Sequence, residues 1–255
     1  MSTPQCDLRL FTAQSPNGYK ISITLEELGL PYDMTVVDLK NMAHKDPAFL
    51  SINPNGRIPA MKDKSFGDAT FSLFESGSIQ QYLVDRYDSH HKLSYPRGTR
   101  EYYETSNWLF FQNAGVGPMQ GQANHFLRYS LAEEPLPYAI DRYQNETRRL
   151  YRTVDKHLET TATDFLVGGK MTIADIALWC WVDSASFTNI DVSEFPTLQR
   201  WHKRISARPA VQKGRKIPAG ADLNQVIKNS ADFEKFLSGN REWIAQGLSD
   251  DARKG

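Results

Sequence analysis

The chain has 255 residues, longer than one typical domain, so two domains with cores of their own are expected. Its 30 basic and 30 acidic residues cancel, which leaves nothing that favours nucleic acid or an anionic membrane surface as a partner. Met1 to Gln5 lacks an apolar leader core, and the most apolar run, Ile173 to Val182, carries Asp175 and is too short to span a bilayer. Cys6 and Cys180 are far apart and form no C-x-x-C pair. A reducing, cytoplasmic setting therefore fits, and any redox chemistry needs a thiol that the chain does not itself supply.

Leu8 to Phe11 reads as a first strand, and Thr12 to Gly18 as a loop by composition. A helix then runs to Leu28, with Ile21, Leu25 and Leu28 on one face and Gly29 as its stop. Tyr32 to Asp38 is a second strand. A polar segment with His44 and Lys45 and a short helix around Pro47 to Leu50 follow. Pro-Asn-Gly at Pro54 to Gly56 is turn punctuation before a short apolar strand, Ile58 to Met61. A hairpin through Gly67-Asp68, a strand to Phe74 and a helix from Ser76 to about Tyr87 complete a β-α-β-α-β-β-α unit. Residues 1–89 are read as this first domain and 90–98 as a linker, which lacks periodicity and carries turn residues.

Beyond the linker the signal is helical. Thr99 to Asn113 is one helix, broken at Gly115-Val116-Gly117-Pro118. Tyr138 to Glu159 is a second, with Tyr143, Thr147, Leu150, Val154 and Leu158 along one side. Thr172-Ile173-Ala174-Asp175 opens a third helix that is apolar enough to be central, with Trp179 and Trp181 as core. Pro196 to Ser206 is a fourth, stopped at Arg208-Pro209. Residues 99–218 form an all-helical domain on this reading. The tail, 219–255, shows two weak helical patches, Leu223 to Leu237 and Glu242 to Leu248.

The functional residues gather at two places in the first domain. The residue before a proline tends to be extended, so Ile58 has a backbone N–H and C=O that can pair with an extended peptide. Glu75-Ser76 stands at a helix N-terminus. There a hydroxyl and backbone N–H groups can take a carboxylate while Glu75 takes an ammonium. Together these features suit a small zwitterionic peptide. Each residue also has a plainer reading. Asn17-Gly18 alone is a tight turn, and Arg57 alone is a solvated turn residue. His44 reads equally as an exposed loop side chain or a ligand contact, and Arg142, with Arg148 and Arg149 nearby, reads as a solvated charge. Gln112-Asn113 and the Gln120, Gln122 and His125 group either line a second-substrate site or satisfy helix ends at the Gly115 to Pro118 break.

This arrangement resembles a cytosolic glutathione transferase: a βαβ–ββα unit with a proline opening its third strand and Glu-Ser at its last helix, joined to an all-helical half. Asn53 to Ile79 matches that family's peptide-binding signature, and Thr172-x-x-Asp175 its core capping box. Three stretches make it most similar to the fungal nitrogen-regulator-like class and its bacterial disulfide-bond oxidoreductase relatives. They are Ser15-Pro16-Asn17-Gly18, Gly117-Pro118-Met119-Gln120-Gly121-Gln122 with His125-Phe126, and Tyr138-Ala139-Ile140-Asp141-Arg142-Tyr143-Gln144. The resemblance implies an α+β thioredoxin-like domain followed by an all-α domain, a cis peptide before Pro59, a homodimer, glutathione as substrate and no metal. It implies that Glu75 and Ser76 hold the γ-glutamyl end, that Ile58 pairs with the cysteinyl backbone, and that His44 and Arg57 face the peptide's carboxylate side. Asn17, with Ser15 as a second donor, would stabilise the sulfur, and Arg142 would help hold a second glutathione or the electrophile. The implied activities are conjugation, disulfide reduction and peroxide reduction, roles in detoxification and oxidative stress. The rival is a non-catalytic glutathione-binding regulator. The regulator that names the class works through an Asn-rich N-terminal extension, and only seven residues precede the first strand here, so the enzyme is the expected reading.

Overall fold

The computed structural model describes residues 7–66, 70–161, 163–220 and 223–253. Strands β1 (Leu8–Thr12), β2 (Asp33–Val36), β3 (Ala60–Asp63) and β4 (Phe71–Phe74) and helices α1 (Pro16–Leu28), α2 (Pro47–Leu50) and α3 (Ser76–Tyr87) follow in the expected order. The sheet order is β2-β1-β3-β4, with β1 parallel to β2 and antiparallel to β3, and β3 antiparallel to β4. A parallel pair needs a crossover, which α1 supplies. Strand alternation divides the core. Leu8, Leu10, Met61 and Leu73 pack with Ile21 and Leu25 of α1 and Ile79 and Leu83 of α3, whereas Ala60 faces Val37, Phe49 and Ile52 on the other side. The expected hairpin turn at Gly67-Asp68, like Cys6, lies outside the described residues.

Helix α1 begins earlier than the composition of its loop suggests. Ser15 caps it, its Oγ accepting the Gly18 N–H at 3.0 Å, and Pro16 occupies the first turn, where a missing N–H is harmless. A Cβ at Gly18 would lie 2.5 Å from Ala13 O and 2.5 Å from Thr12 Oγ1, so this glycine lets the helix start tight against β1. Gly29 ends the helix at φ 69°, as expected.

The second half is all-helical, with α4 (Arg100–Phe110), α5 (Gly117–Asn124), α6 (Pro137–Thr161), α7 (Ile173–Val182), α8 (Pro196–Ser206), α9 (Pro209–Gly214), α10 (Leu223–Val226) and α11 (Ser230–Arg253). Two expectations are corrected. The chain does not break at Gly115 to Pro118: wide π-helical turns over Phe111–Val116 carry it from α4 into α5 with αR dihedrals, and they accommodate the N–H that Pro118 lacks. Helix α8 ends at Ser206, the stop expected at Arg208-Pro209, and Pro209 then occupies the first turn of a further helix, α9. The first tail patch, Leu223 to Leu237, is divided between α10 and the start of α11, and α11 runs on unbroken through the second, Glu242 to Leu248.

Every residue of α7 is buried, which makes it the axis of the helical core. Its capping box holds as expected, with Asp175 Oδ2 accepting the Thr172 N–H at 2.9 Å, while Oδ1 accepts from Leu166 N and Trp201 Nε1, both at 2.9 Å. The connection after α3 is tied down at Asp88, whose carboxylate accepts from Lys92 N, Leu93 N and Ser94 Oγ. Helix α1 lies between the two cores. Its Ile23 joins the helical cluster, and its Glu27, almost fully buried, pairs with both arms of Arg208 at 2.6 and 2.8 Å. Among the described residues no helix is long and apolar enough to cross a membrane.

Candidate active site

A cleft of about 500 Å³ opens between the sheet domain and the helical domain. Ser15 and Asn17 enter it from the start of α1, His44 from the segment before α2, Arg57 and Ile58 from the turn into β3, and Glu75 and Ser76 from the start of α3. Seven of the eight residues singled out in the sequence thus line one cavity. The eighth, Arg142, does not join them. It lines a separate open hollow of about 690 Å³ along α6, with Asp141, Glu146 and Arg149.

The sheet-domain wall has the shape of a peptide cradle. The Ile58–Pro59 bond is cis, and Ile58, half-buried, faces the cavity. Asn53 stiffens the preceding turn: its Nδ2 donates to Arg57 O at 2.6 Å and its Oδ1 accepts from Asn55 N at 3.0 Å. Glu75 sits at φ 66° and ψ 117°, a conformation that disfavours any residue with a Cβ. Its carboxylate makes no capping bond to α3 and is exposed at the cleft. Ser76 beside it is buried, at the N-terminus of α3.

Behind Ser76 lies a residue that the sequence reading passed over. Lys20 Nζ, buried, donates to Ser76 Oγ at 3.1 Å and to Asn113 Oδ1 at 3.3 Å. Burial lowers its pKa from 10.5 to about 7, partly opposed by the nearby Glu75 carboxylate. Burial also pushes the Cys180 thiol well up, so this cysteine stays protonated. The signal for Lys20 was the polar stripe Lys20, Thr24 and Glu27 at i, i+4 and i+7 of α1. All three are buried: Lys20 and Glu27 reach Asn113 and Arg208 of the helical domain, and Thr24 Oγ1 accepts from Gln80 Nε2 of α3 at 3.1 Å.

At the other end of the cleft, Asn17 Oδ1 accepts a hydrogen bond from Trp181 Nε1 at 3.0 Å. Trp181 was expected to be core alone. It is largely buried, but it also lines the cleft, with Gly121, Asn124, Tyr129, Ser184 and Phe187 of the helical domain. Of the polar group around α5, Gln120 proves structural, its Nε2 donating to Trp181 O at 2.9 Å and its Oε1 accepting from Tyr151 OH at 2.7 Å.

The tail supplies the roof. Phe236, Asn240 and Trp243 of α11 line the cavity, and the Trp243 ring meets His44 edge-on, centroids 5.9 Å apart. Further along, Phe187 meets Phe233 and Phe236, and Arg241 Nε donates to Arg128 O at 2.8 Å. Phe233, Phe236, Leu237, Asn240 and Trp243 share one helical face. Gly239, in their midst, lowers the helix propensity of this stretch without ending the helix.

The family model described as Glutathione S-transferase, N-terminal domain, matches residues 6–85, and its C-terminal-domain counterpart matches residues 123–209. The chain belongs to the glutathione S-transferase family. Among its relatives, the disulfide-bond oxidoreductase YfcG of Escherichia coli (strain K12) is 44% identical over 203 residues, 79% of this chain and 91% of that protein. The Glutathione S-transferase-like protein gedE of Aspergillus terreus is 38% identical over 217 residues, 81% and 93% of the two chains. A glutathione transferase homolog from Lodderomyces elongisporus, solved with two GSH per subunit, aligns at a TM-score of 0.79 with 45% identity, covering 83% of this protein and 98% of that chain.

Proposed function

We propose that this transferase binds glutathione along Ile58, stabilises its thiolate at Asn17, and passes it to disulfides or to electrophilic carbon. The observation that carries the reading is the convergence in one cleft of an amide at a helix start (Asn17), an extended backbone before a cis proline (Ile58), and a carboxylate beside a buried serine (Glu75-Ser76). In this reading Glu75 takes the γ-glutamyl ammonium, and Ser76, backed by Lys20, takes its carboxylate. His44 and Arg57 face the glycyl carboxylate. Arg142 is proposed for a second glutathione or the electrophile, which would engage the hollow along α6.

The energetics are sufficient. A free thiol titrates near about 8.5, so only a few per cent is thiolate at pH 7. One hydrogen bond to a charged group contributes about 1.5–3 kcal/mol, a helix N-terminus about 0.3–1 more, and each pKa unit corresponds to about 1.4 kcal/mol. Asn17 at the start of α1 can therefore make the thiolate the major form. An amide cannot take the proton, so Asn17 stabilises and does not act as a base. Ser15 Oγ accepts from Gly18 N and keeps its O–H to donate, the second donor in this scheme.

With a disulfide, the glutathione thiolate attacks one sulfur, the S–S bond breaks, and the other half leaves as a thiolate. A second glutathione thiolate then attacks the mixed disulfide, giving oxidised glutathione and the second thiolate. Cys180, the cysteine among the described residues, takes no part, because it is buried and held as the thiol. The reducing cytosol is the proposed setting, and a second copy is the proposed partner for the exposed Phe71 and Phe74 of β4 and Tyr103 and Phe110 of α4. The test is turnover of hydroxyethyl disulfide with glutathione, set beside a chromogenic aryl halide. Turnover of the disulfide supports exchange, turnover of the halide alone a conjugating enzyme. Tight glutathione binding with neither leaves the rival reading, a binding protein.

A further inference from the structure

The side-chain amide of asparagine is nearly symmetric in shape but not in charge. Turned one way it offers an N–H to a ligand, and turned the other it offers a carbonyl oxygen, which repels an anion. An Asn17 left to itself would sample both faces, and only one of them can hold a thiolate.

The geometry points to Trp181 as a positioning residue that locks the Asn17 amide with its N–H side toward the reacting sulfur, an inference that rests on the function proposed above. An indole nitrogen can only donate, so the group it meets at 3.0 Å must be Asn17 Oδ1. That leaves Nδ2 as the end available to a ligand in the cleft that both residues line. Accepting a hydrogen bond at oxygen also polarises the amide and strengthens donation from its nitrogen.

Trp181 is itself held from three sides. Its backbone oxygen accepts from Gln120 Nε2 and from Ser184 Oγ, each at 2.9 Å. Its ring lies against the backbone of α5: a Cβ placed at Gly117 would be 3.4 Å from Cε2, and one at Gly121 3.5 Å from Cη2. The Gly117-Pro118-Met119-Gln120-Gly121 stretch thus gains a physical role as the seat of this indole. The contact spans the two domains, 164 positions apart in the chain, so the thiol end of the site is complete only when the helical domain is docked.

The test uses the full chain with Trp181→Phe, which keeps the ring and removes the donor, beside Asn17→Ala and the double variant. The pKa of bound glutathione is read from thiolate ultraviolet absorbance against pH, and affinity is read separately with S-methylglutathione, which has no thiol. Trp181→Phe is expected to raise the bound thiol's pKa by about 0.5–1 unit while S-methylglutathione affinity stays within about twofold, the size of one neutral hydrogen bond acting on one charge state. The double variant should match Asn17→Ala alone, because the indole acts only through the amide. An unmoved pKa in Trp181→Phe, or additive effects in the double variant, overturns the inference while Asn17→Ala still supports the proposed function. No shift in Asn17→Ala itself overturns both. If Trp181→Phe does not fold, the indole N–H resonance that Asn17→Ala displaces in the folded protein is followed through the thiol's titration. Movement with the thiolate supports the lock, and a resonance indifferent to it overturns the lock.

Discussion

Glu75 holds φ at 66° and ψ at 117° in a position that any glycine would occupy without strain. A residue with a Cβ in such a region costs on the order of 1–3 kcal/mol, and a glycine adds back about 0.5–1 kcal/mol of unfolded-state entropy. Glu75→Gly should therefore stabilise the fold by roughly 0.5–2 kcal/mol, which for a chain of this size raises Tm by about 1–8 °C. The same change removes the carboxylate assigned to the ligand's ammonium. A charge-assisted hydrogen bond is worth about 1.5–3 kcal/mol, so glutathione should bind about 10- to 150-fold more weakly. Glu75→Gln separates the two effects, because it keeps the Cβ and its strain while losing the charge. Its Tm should stay near that of the unsubstituted chain, and its affinity should fall. Thermal unfolding and calorimetric titration with glutathione measure both quantities on the same samples. A Glu75→Gly variant that melts lower, or a Glu75→Gln variant that binds glutathione unchanged, refutes the idea that strain is retained at this position for a ligand.

Asn17→Ala should cut disulfide or halide turnover by about ten- to a thousandfold while glutathione still binds, and unchanged rates would remove Asn17 from the chemistry. Lys20 has a folded-state pKa of about 7, below its ordinary 10.5, so across that window the unfolded chain binds more protons than the folded one. Stability should then rise with pH from about 7 upward, at no more than about 1.4 kcal/mol per unit. In Lys20→Met that rise should vanish in urea unfolding from pH 6.5 to about 9.5, and parallel profiles for the two proteins would show that Lys20 is charged throughout. Trp243→Ala opens the roof over His44 and should raise kcat/KM for a bulky aryl disulfide relative to hydroxyethyl disulfide by about 3- to 10-fold. An unchanged ratio would mean that α11 stands clear of the bound substrate.

Much of the fold was legible because its signals are local. Pro59, the Glu75-Ser76 helix start, Gly29 and the Thr172-Asp175 box each act within four residues of themselves, where steric and capping rules need no knowledge of the rest of the chain. Helix boundaries at prolines were the weak point. Pro118 reads as an interruption, yet it is absorbed by wide turns; Pro209 does mark the end of α8 but also opens α9. A proline forbids one hydrogen bond but does not say how the neighbouring backbone will rearrange around the loss.

By itself, then, the order of residues pointed to the two-domain architecture, the extended Ile58 before Pro59 and the Glu75-Ser76 helix start, while the cis peptide and the other side chains of the cleft came from the family resemblance. What only the folded chain decided is what stands behind and above those side chains: Lys20 beneath Ser76, Trp181 on Asn17, Trp243 over His44. These pairs are separated by 56, 164 and about 200 positions, and no periodicity or spacing rule couples residues at such range. They meet because α1 is buried between two cores and α11 folds back across the cleft, and the packing of whole helices is set by the sum of many weak contacts.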